Sequence, residues 1–435
     1  MTVDALGGGR APTRNAELAA RPCCRTWMIK PFAVCALLTS GCAASHFAIA
    51  NPALASRAVP LRTVSPDDDS FDDLRAFATF VGDAQVVTLG ESHGDGTSQL
   101  LMSRLVRFLH EVKGFDVLVF ESGLLETEAV DAALATEAPL ATAVKPIPSP
   151  WSQSELSRPL FAYLRTTKRG PRPFTLAGFD TEVRAAALTL LRLERLLAGA
   201  SIPLDAEQRA CLGASFDPKV LPCTAAVAEA LLQALARSGV GDPIDREQAT
   251  RFLRGLLASI EMRTVASGAP DARLDPAGAE AYLAKVSPLL VARDAAMGEN
   301  LRWLVDRRFA GKKIIFWGAR GHLSLAEGFA SRPMLAELGP RARSVTFTFY
   351  QGTFGLPWTG VEPVEPSEPN SLEGLLHATG RPLWFVDQRG ATDPLLAPEA
   401  AVHDGVFFID VMRATAWAPD STKLAAMQGQ EPPAP

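Results

Sequence analysis

The stretch QVVTLGESHGDGTS, residues 85–98, sets a carboxylate, Glu91, two positions from an imidazole, His93. Three more proton-handling side chains follow apolar runs: Glu121 closes DVLVFES, Asp180 closes FTLAGFD, and His322 comes just after KKIIFWGA. A neutral imidazole with a pKa near the working pH can take a proton from water as that water attacks a carbonyl, usually worth about 10²–10⁴-fold in rate. His93 is the candidate base. Glu91 or Glu121 would orient it and stabilise the imidazolium, and Arg320 or His322 would stabilise the developing oxyanion. Asp180 and Arg293 are candidates for substrate contact. The same groups offer a second chemistry, a divalent metal held by His93, Glu121 and His322 that acidifies a bound water. No H-E-x-x-H or other self-contained ligand spacing is present, so the sequence requires no cofactor.

A third chemistry is written in the same letters, because Gly90 to Gly94 fit G-x-S-x-G and would make Ser92 a nucleophile with Asp387 and His403 as partners. A nucleophile elbow needs a helix starting directly after the serine. Here Gly94-Asp95-Gly96 would fill its first turn, and the helical pattern starts only around Thr97. His403 also precedes an apolar run instead of following the last one, and no HGGG-like oxyanion segment lies upstream.

The elements that must position these residues alternate. Seven nearly continuous apolar runs read as strands buried on both faces: 85–91, 116–122, 174–180, 312–319, 344–350, 382–388 and 405–411. Helical patterns separate them, beginning with FDDLRAFATFVG. The fold class expected is α/β, a three-layer unit around a mostly parallel sheet. Residues 56–200 and 310–418 would form that unit, interrupted by a helical insertion over 201–309, and 419–435 would be a disordered tail. In an open parallel sheet the carboxyl ends of the strands face one crevice, so Glu91, His93, Glu121, Asp180 and His322 can meet there. His110 and His377 fall on helical patterns and read as packing residues.

Taken in order, the blocks LGESHG, GFDVLVFESG, WSQSELSRPLFAYLRTTKRG with FTLAGFD, RDAAMGENLRWL with KKIIFWGARGHLS, and HDGVFFID resemble those of the erythromycin esterase family over roughly residues 70–415. The resemblance implies a three-layer α/β fold with a helical subdomain and hydrolysis of an ester or lactone. Macrolide cleavage, and with it antibiotic resistance, would be one such activity. It implies roles for Glu91, His93, Glu121 and His322. Two departures stand out: the family's G-E-x-x-H is one residue shorter here, and Ala319 and Arg320 replace the first histidine and the asparagine of its W-x-H-N-x-H motif. A non-catalytic binding protein of the same fold is the competing class.

The chain has 435 residues, 47% of them hydrophobic and 21% charged, with a formal net charge of −5, enough to bury a substantial core. No basic run interleaved with aromatics appears, which sets nucleic acid aside as a partner, and the partner that the resemblance implies is a small-molecule ester. Residues 1–55 read as an export segment: Met28-Ile29-Lys30, where the natural start would lie, precede the apolar run PFAVCALLTSGCAA, and A-x-A sites end at Ala50 and Ala55. The run is short of the roughly 20 residues that span a bilayer. A secreted or periplasmic protein is expected, and Leu38-Thr39-Ser40-Gly41-Cys42 offers lipid attachment at Cys42 as an alternative. Cys23, Cys24, Cys35, Cys42 and His46 would leave with that segment. The two cysteines remaining, Cys211 and Cys223, would pair in an oxidising compartment, the alternative being two separate buried thiols. Nothing in the sequence indicates an oligomeric state.

Overall fold

The computed structural model describes residues 49–183, 186–214, 219–266, 276–356 and 360–415. Most of the expected export segment, with Met28 and Cys42, and the expected tail from 419 lie outside the described residues.

Nine strands appear among the described residues: β1 (Ala58–Pro60), β2 (Val86–Glu91), β3 (Val117–Gly123), β4 (Thr175–Asp180), β5 (Ile314–Ala319), β6 (Ala342–Leu356), β7 (Gly360–Val364), β8 (Leu383–Asp387) and β9 (Gly405–Met412). They form one sheet in the order β1-β8-β9-β6-β2-β5-β3-β4, with β7 hydrogen-bonded to β6. From β9 to β4 every pairing is parallel, whereas β1–β8, β8–β9 and β6–β7 are antiparallel. All seven expected strands are present. The two that were not expected are β1, three residues long, and β7, whose side chains are mostly exposed. Neither carries the continuous apolar run that marks a strand covered on both faces.

The period-two alternation of side chains builds the three layers. On one face Val87, Leu89, Leu118, Phe120, Ile315 and Trp317 pack against the helices Arg75–Val81, Gly96–Glu111 and Arg158–Lys168. On the other, Val86, Val117, Val119, Ile314 and Phe316 meet Met297, Leu301 and Met334. The helical layer is wider than residues 201–309. Its core starts in the helix Ala186–Gly199, with Leu193, Leu196 and Leu197, and includes Leu125 just after β3. The helix Pro276–Trp303 leaves that layer and ends in the sheet's own core through Met297 and Leu301. Cys211 and Cys223 form a disulfide between consecutive helices, with Cα atoms 5.7 Å apart.

Chain order reverses around β2. After β2 the chain moves outward to β3 and β4, then returns to insert β5 between β2 and β3 and to lay β6 on β2's other side. Such a switch point opens a crevice at the carboxyl ends of the strands.

Candidate active site

The crevice holds an alternating row of carboxylates and imidazoles. Glu91, last residue of β2, has a fully buried side chain whose Oε1 accepts from Trp151 Nε1 at 2.8 Å and from His93 Nδ1 at 3.0 Å. The far nitrogen of His93, Nε2, faces Glu121 Oε1 at 3.7 Å. His322 Nε2 faces that same oxygen at 3.4 Å, and its Nδ1 donates to Asp294 Oδ1 at 2.5 Å. Arg293 reaches Glu121 Oε1 at 3.8 Å while clamping Asp180 with two bonds of 3.0 and 2.6 Å. Of the seven site residues expected from sequence, six converge here.

Local backbone features make this convergence. Glu91 follows Val87 and Leu89 on one face of the sheet, whereas Glu121 follows Val117 and Val119 on the other. The register between β3 and β4 slips by one residue between Phe120 and Gly123, a bulge of the kind that re-aims a side chain beside an active site. Room for the Glu121 carboxylate comes from Gly318 on β5, where a Cβ would lie 2.9 Å from Glu121 Oε2. The backbone N–H of Ala319 then donates to that oxygen at 2.6 Å. Gly90 is needed because the chain leaving β5 passes directly over it: a Cβ there would sit 2.8 Å from the Arg320 Cα. Arg293 and Asp294 are successive residues of the helix Pro276–Trp303, about 100° apart around its axis, so one turns to Asp180 and the other to His322.

The charges around each imidazole set its proton affinity. Burial by itself lowers the pKa of His93, but its hydrogen bonds to Glu121 and Glu91 outweigh this and raise it to about 10. His322 is likewise lowered by burial and raised by Asp294 and Glu121, to about 9. Glu121, although buried, is held well below the usual carboxylate range by His322 and His93. Burial moves Glu91 the other way, upward. With Glu121 on one side and Glu91 on the other, His93 is drawn toward its protonated form, above the near-neutral range in which a general base is ordinarily expected.

Arg320 is the expected residue that does not join the cluster through its side chain. It is exposed, and its backbone N–H donates to the Glu91 carbonyl at 2.8 Å. The serine triad is not assembled either. The helix after β2 starts at Gly96 with Asp95 as its N-cap, leaving Ser92 outside its first turn. Asp387 is clamped by Arg389, and His403 lies 3.0 Å from the Ser344 hydroxyl. Because β8 runs antiparallel to β9, Asp387 sits beside the start of β9, away from the carboxyl end of β2. His110 bonds the Tyr163 hydroxyl at 2.6 Å, and His377 bonds Asp410 at 2.6 Å and stacks on Tyr350, so both serve packing.

The metal alternative fits poorly. No group of three His, Cys, Asp or Glu side chains arranged to hold a metal ion occurs among the described residues. Glu121 Oε1, the shared point of the row, already faces the Arg293 guanidinium at 3.8 Å as well as both imidazoles. A further cation would have to displace these.

Sequence reading missed Trp151 and Asp294, which hold Glu91 and His322. The only local signal was that each lies in a block already noted, Trp151 opening WSQSELSRP and Asp294 following Arg293 in RDAAMGEN.

A parallel-centred α/β unit with imidazoles and carboxylates gathered at its switch point defines a class of small-molecule enzyme folds. Within that class the chain belongs to the erythromycin esterase family, whose model matches residues 110–420. That span includes Glu121, Asp180, Arg293, Asp294 and His322 but begins after Glu91 and His93. The chain is 26% identical over 382 residues to a protein of Bacillus subtilis (strain 168) named "Putative hydrolase YbfO", the alignment covering 77% of this chain and 82% of that one. Among solved structures, a mutant of the erythromycin esterase EreC in its open conformation matches with a TM-score of 0.60 at 15% identity, over 83% of this chain and 99% of that one. A Bacillus cereus protein matches with a TM-score of 0.59 at 19% identity, over 83% and 96%. These two likenesses show the fold.

Proposed function

We propose that the protein is a hydrolase that cleaves an ester or lactone with water activated at His93. The observation that carries this reading is the single Glu121 oxygen faced by the Nε2 atoms of both His93 and His322, each ring being held at Nδ1 by its own carboxylate. Family membership and the hydrolase relative support the reaction class. At neutral pH the protonated His322 and Arg293 would draw the substrate carbonyl oxygen and stabilise its charge as the tetrahedral centre forms. The attacking water gives its proton to His93 in the fraction of molecules in which that ring is neutral. Because its pKa is about 10, that fraction grows with pH, and kcat/KM should climb through pH 8 and 9. A cavity of about 200 Å³ opens beside Arg293 between Met262, Leu289 and Leu290, suited to an apolar group of modest size. A panel of purified esters and lactones, macrolides included, assayed at pH 7 and pH 9 against wild type and His93→Ala tests this. Turnover that survives in His93→Ala, or a wild type that binds members of the panel and turns over none, would defeat it.

We propose further that the chain is exported and processed after Ala50, not after Ala55. Leu54 is fully buried against the core formed by Trp384, Val386 and Phe408. The Asn51 side chain caps the helix Pro52–Ala55 at the Leu54 N–H, so a cut after Ala55 would strip packed residues. The Cys211–Cys223 bridge suits an oxidising compartment. Intact mass of the exported protein should fit a chain starting at Asn51, with no thiol labelled under denaturing, non-reducing conditions. A start at Ser56, a diacylglyceryl group at Cys42 or two free thiols would each count against part of this reading.

A further inference from the structure

A cavity of about 420 Å³ lies away from the catalytic row, beside the outer edge of β4. It is walled by the helices Leu124–Leu134 and Ala186–Gly199 and by the turn Leu304–Arg308 that continues the helix carrying Asp294. From Asp294 to Trp303, which lines it, is about 14 Å along that helix.

Its chemistry is unlike that of the catalytic row. Glu128 lines it and is shared: Arg192 Nε donates to it at 2.6 Å, Arg308 Nη2 at 3.1 Å and Gln248 Nε2 at 2.6 Å. One carboxylate thus answers two guanidinium groups. A third arginine lining the cavity, Arg195, is exposed, and its side chain has no hydrogen-bonded or ionic partner among the described residues. Gln248 is only 2% exposed, yet its Oε1 has no hydrogen-bond partner among the described residues. Turning the amide over would not satisfy it, since Oε1 would then face the Glu128 carboxylate. An unpaired buried acceptor has lost its hydrogen bonds to water without replacement, so a donor at this place would be favoured. Leu191, Leu304 and Trp303 supply an apolar wall.

We propose that this cavity is a second binding site, for an organic anion that carries a hydrogen-bond donor and an apolar body. The anionic group meets Arg195 and the excess positive charge of Arg192 and Arg308, the donor meets Gln248 Oε1, and the body lies against Trp303. The site stands independently of the catalytic reading, because it shares no side chain with the row from Glu91 to Asp294.

Phenyl phosphate, which has a phosphate ionised at neutral pH, a residual P–O–H donor in its monoanion and an aromatic body, is a suitable probe by isothermal titration calorimetry at pH 6. Wild type and His93→Ala should bind one molecule per chain with equal affinity. Arg195→Ala should bind roughly fivefold more weakly, and Arg195→Glu beyond detection, since charge reversal replaces attraction by repulsion. Because Arg195 is exposed, both variants should keep the wild-type circular dichroism spectrum. Gln248→Leu, close in size but without the acceptor, should also weaken binding, and benzyl alcohol should bind roughly tenfold more weakly than phenyl phosphate. The proposal is overturned if wild type gives no saturable heat up to about 5 mM, the weak end of specific binding. It is equally overturned if Arg195→Glu leaves binding intact, or if His93→Ala abolishes it, which would place the probe in the catalytic crevice.

Discussion

His93 and His403 are mirror cases. One lies two residues past the end of β2, the other two residues before the start of β9, and burial pushes both toward the neutral form. Yet His93 is raised to about 10 and His403 lowered to about 4. The difference lies in their neighbours. His93 stands between Glu91 and Glu121, whereas His403 has the Ser344 hydroxyl and the positive field of Arg320. Within the same sheet, the sign of the nearest charge outweighs desolvation at one histidine and reinforces it at the other.

The sharpest way to break this comparison is by activity. His93→Ala should lower kcat on any substrate the protein is found to hydrolyse by at least about 10²-fold, with circular dichroism unchanged. Ser92→Ala and His403→Asn should each stay within roughly threefold, the range expected of residues outside the reacting geometry. Equal damage from Ser92→Ala, together with fluorophosphonate labelling of Ser92, would restore the serine mechanism and remove His93 from its role.

A smaller effect sharpens the electrostatic half. Glu121→Gln removes the carboxylate shared by both rings, so the pKa values of His93 and His322 should fall from about 10 and about 9. The alkaline rise in kcat/KM should then move at least about one pH unit lower, alongside a lower ceiling. Imidazole titration by NMR gives the same answer without substrate, and an unmoved His93 resonance would show that Glu91 alone holds its proton.

The smallest effects are in stability, and they have opposite signs. A histidine whose folded pKa is raised contributes stability that is complete below its ordinary 6.5 and is lost as pH climbs through the folded value, here about 10. One whose pKa is lowered contributes stability present above 6.5 and lost as pH falls through about 4. The Tm advantage of wild type over His93→Asn should therefore shrink from pH 6.5 to 10, and that over His403→Asn should shrink from pH 6.5 to 4. Parallel trends in the two variants would mean that burial, and not the neighbouring charge, governs both residues.

Much of the fold was legible because a strand covered on both faces must be apolar throughout. That rule found β2 to β6, β8 and β9, and it passed over β1 and β7, which are short or exposed. The site was legible to the same depth. Glu91, Glu121, Asp180 and His322 could be nominated because each ends or follows such a strand, a position known without knowing its neighbours. Trp151 and Asp294 could not. The hydrogen bond from Trp151 to Glu91 joins residues 60 positions apart, and that from His322 to Asp294 depends on how a helix is rotated against the sheet.

By itself, then, the sequence determined which residues could exchange protons, that an α/β sheet would bring strand ends together, and that Cys211 and Cys223 could close a short loop. Those are consequences of side-chain type and hydrophobic period, which are local. The tertiary structure decided the strand order that puts β5 between β2 and β3, and the one-residue bulge that turns Glu121 between two imidazoles. It also decided which charges surround His93 and raise its proton affinity. Proton affinity is set by charges a few ångströms away, and chain connectivity does not say which charges those will be until the fold has placed them.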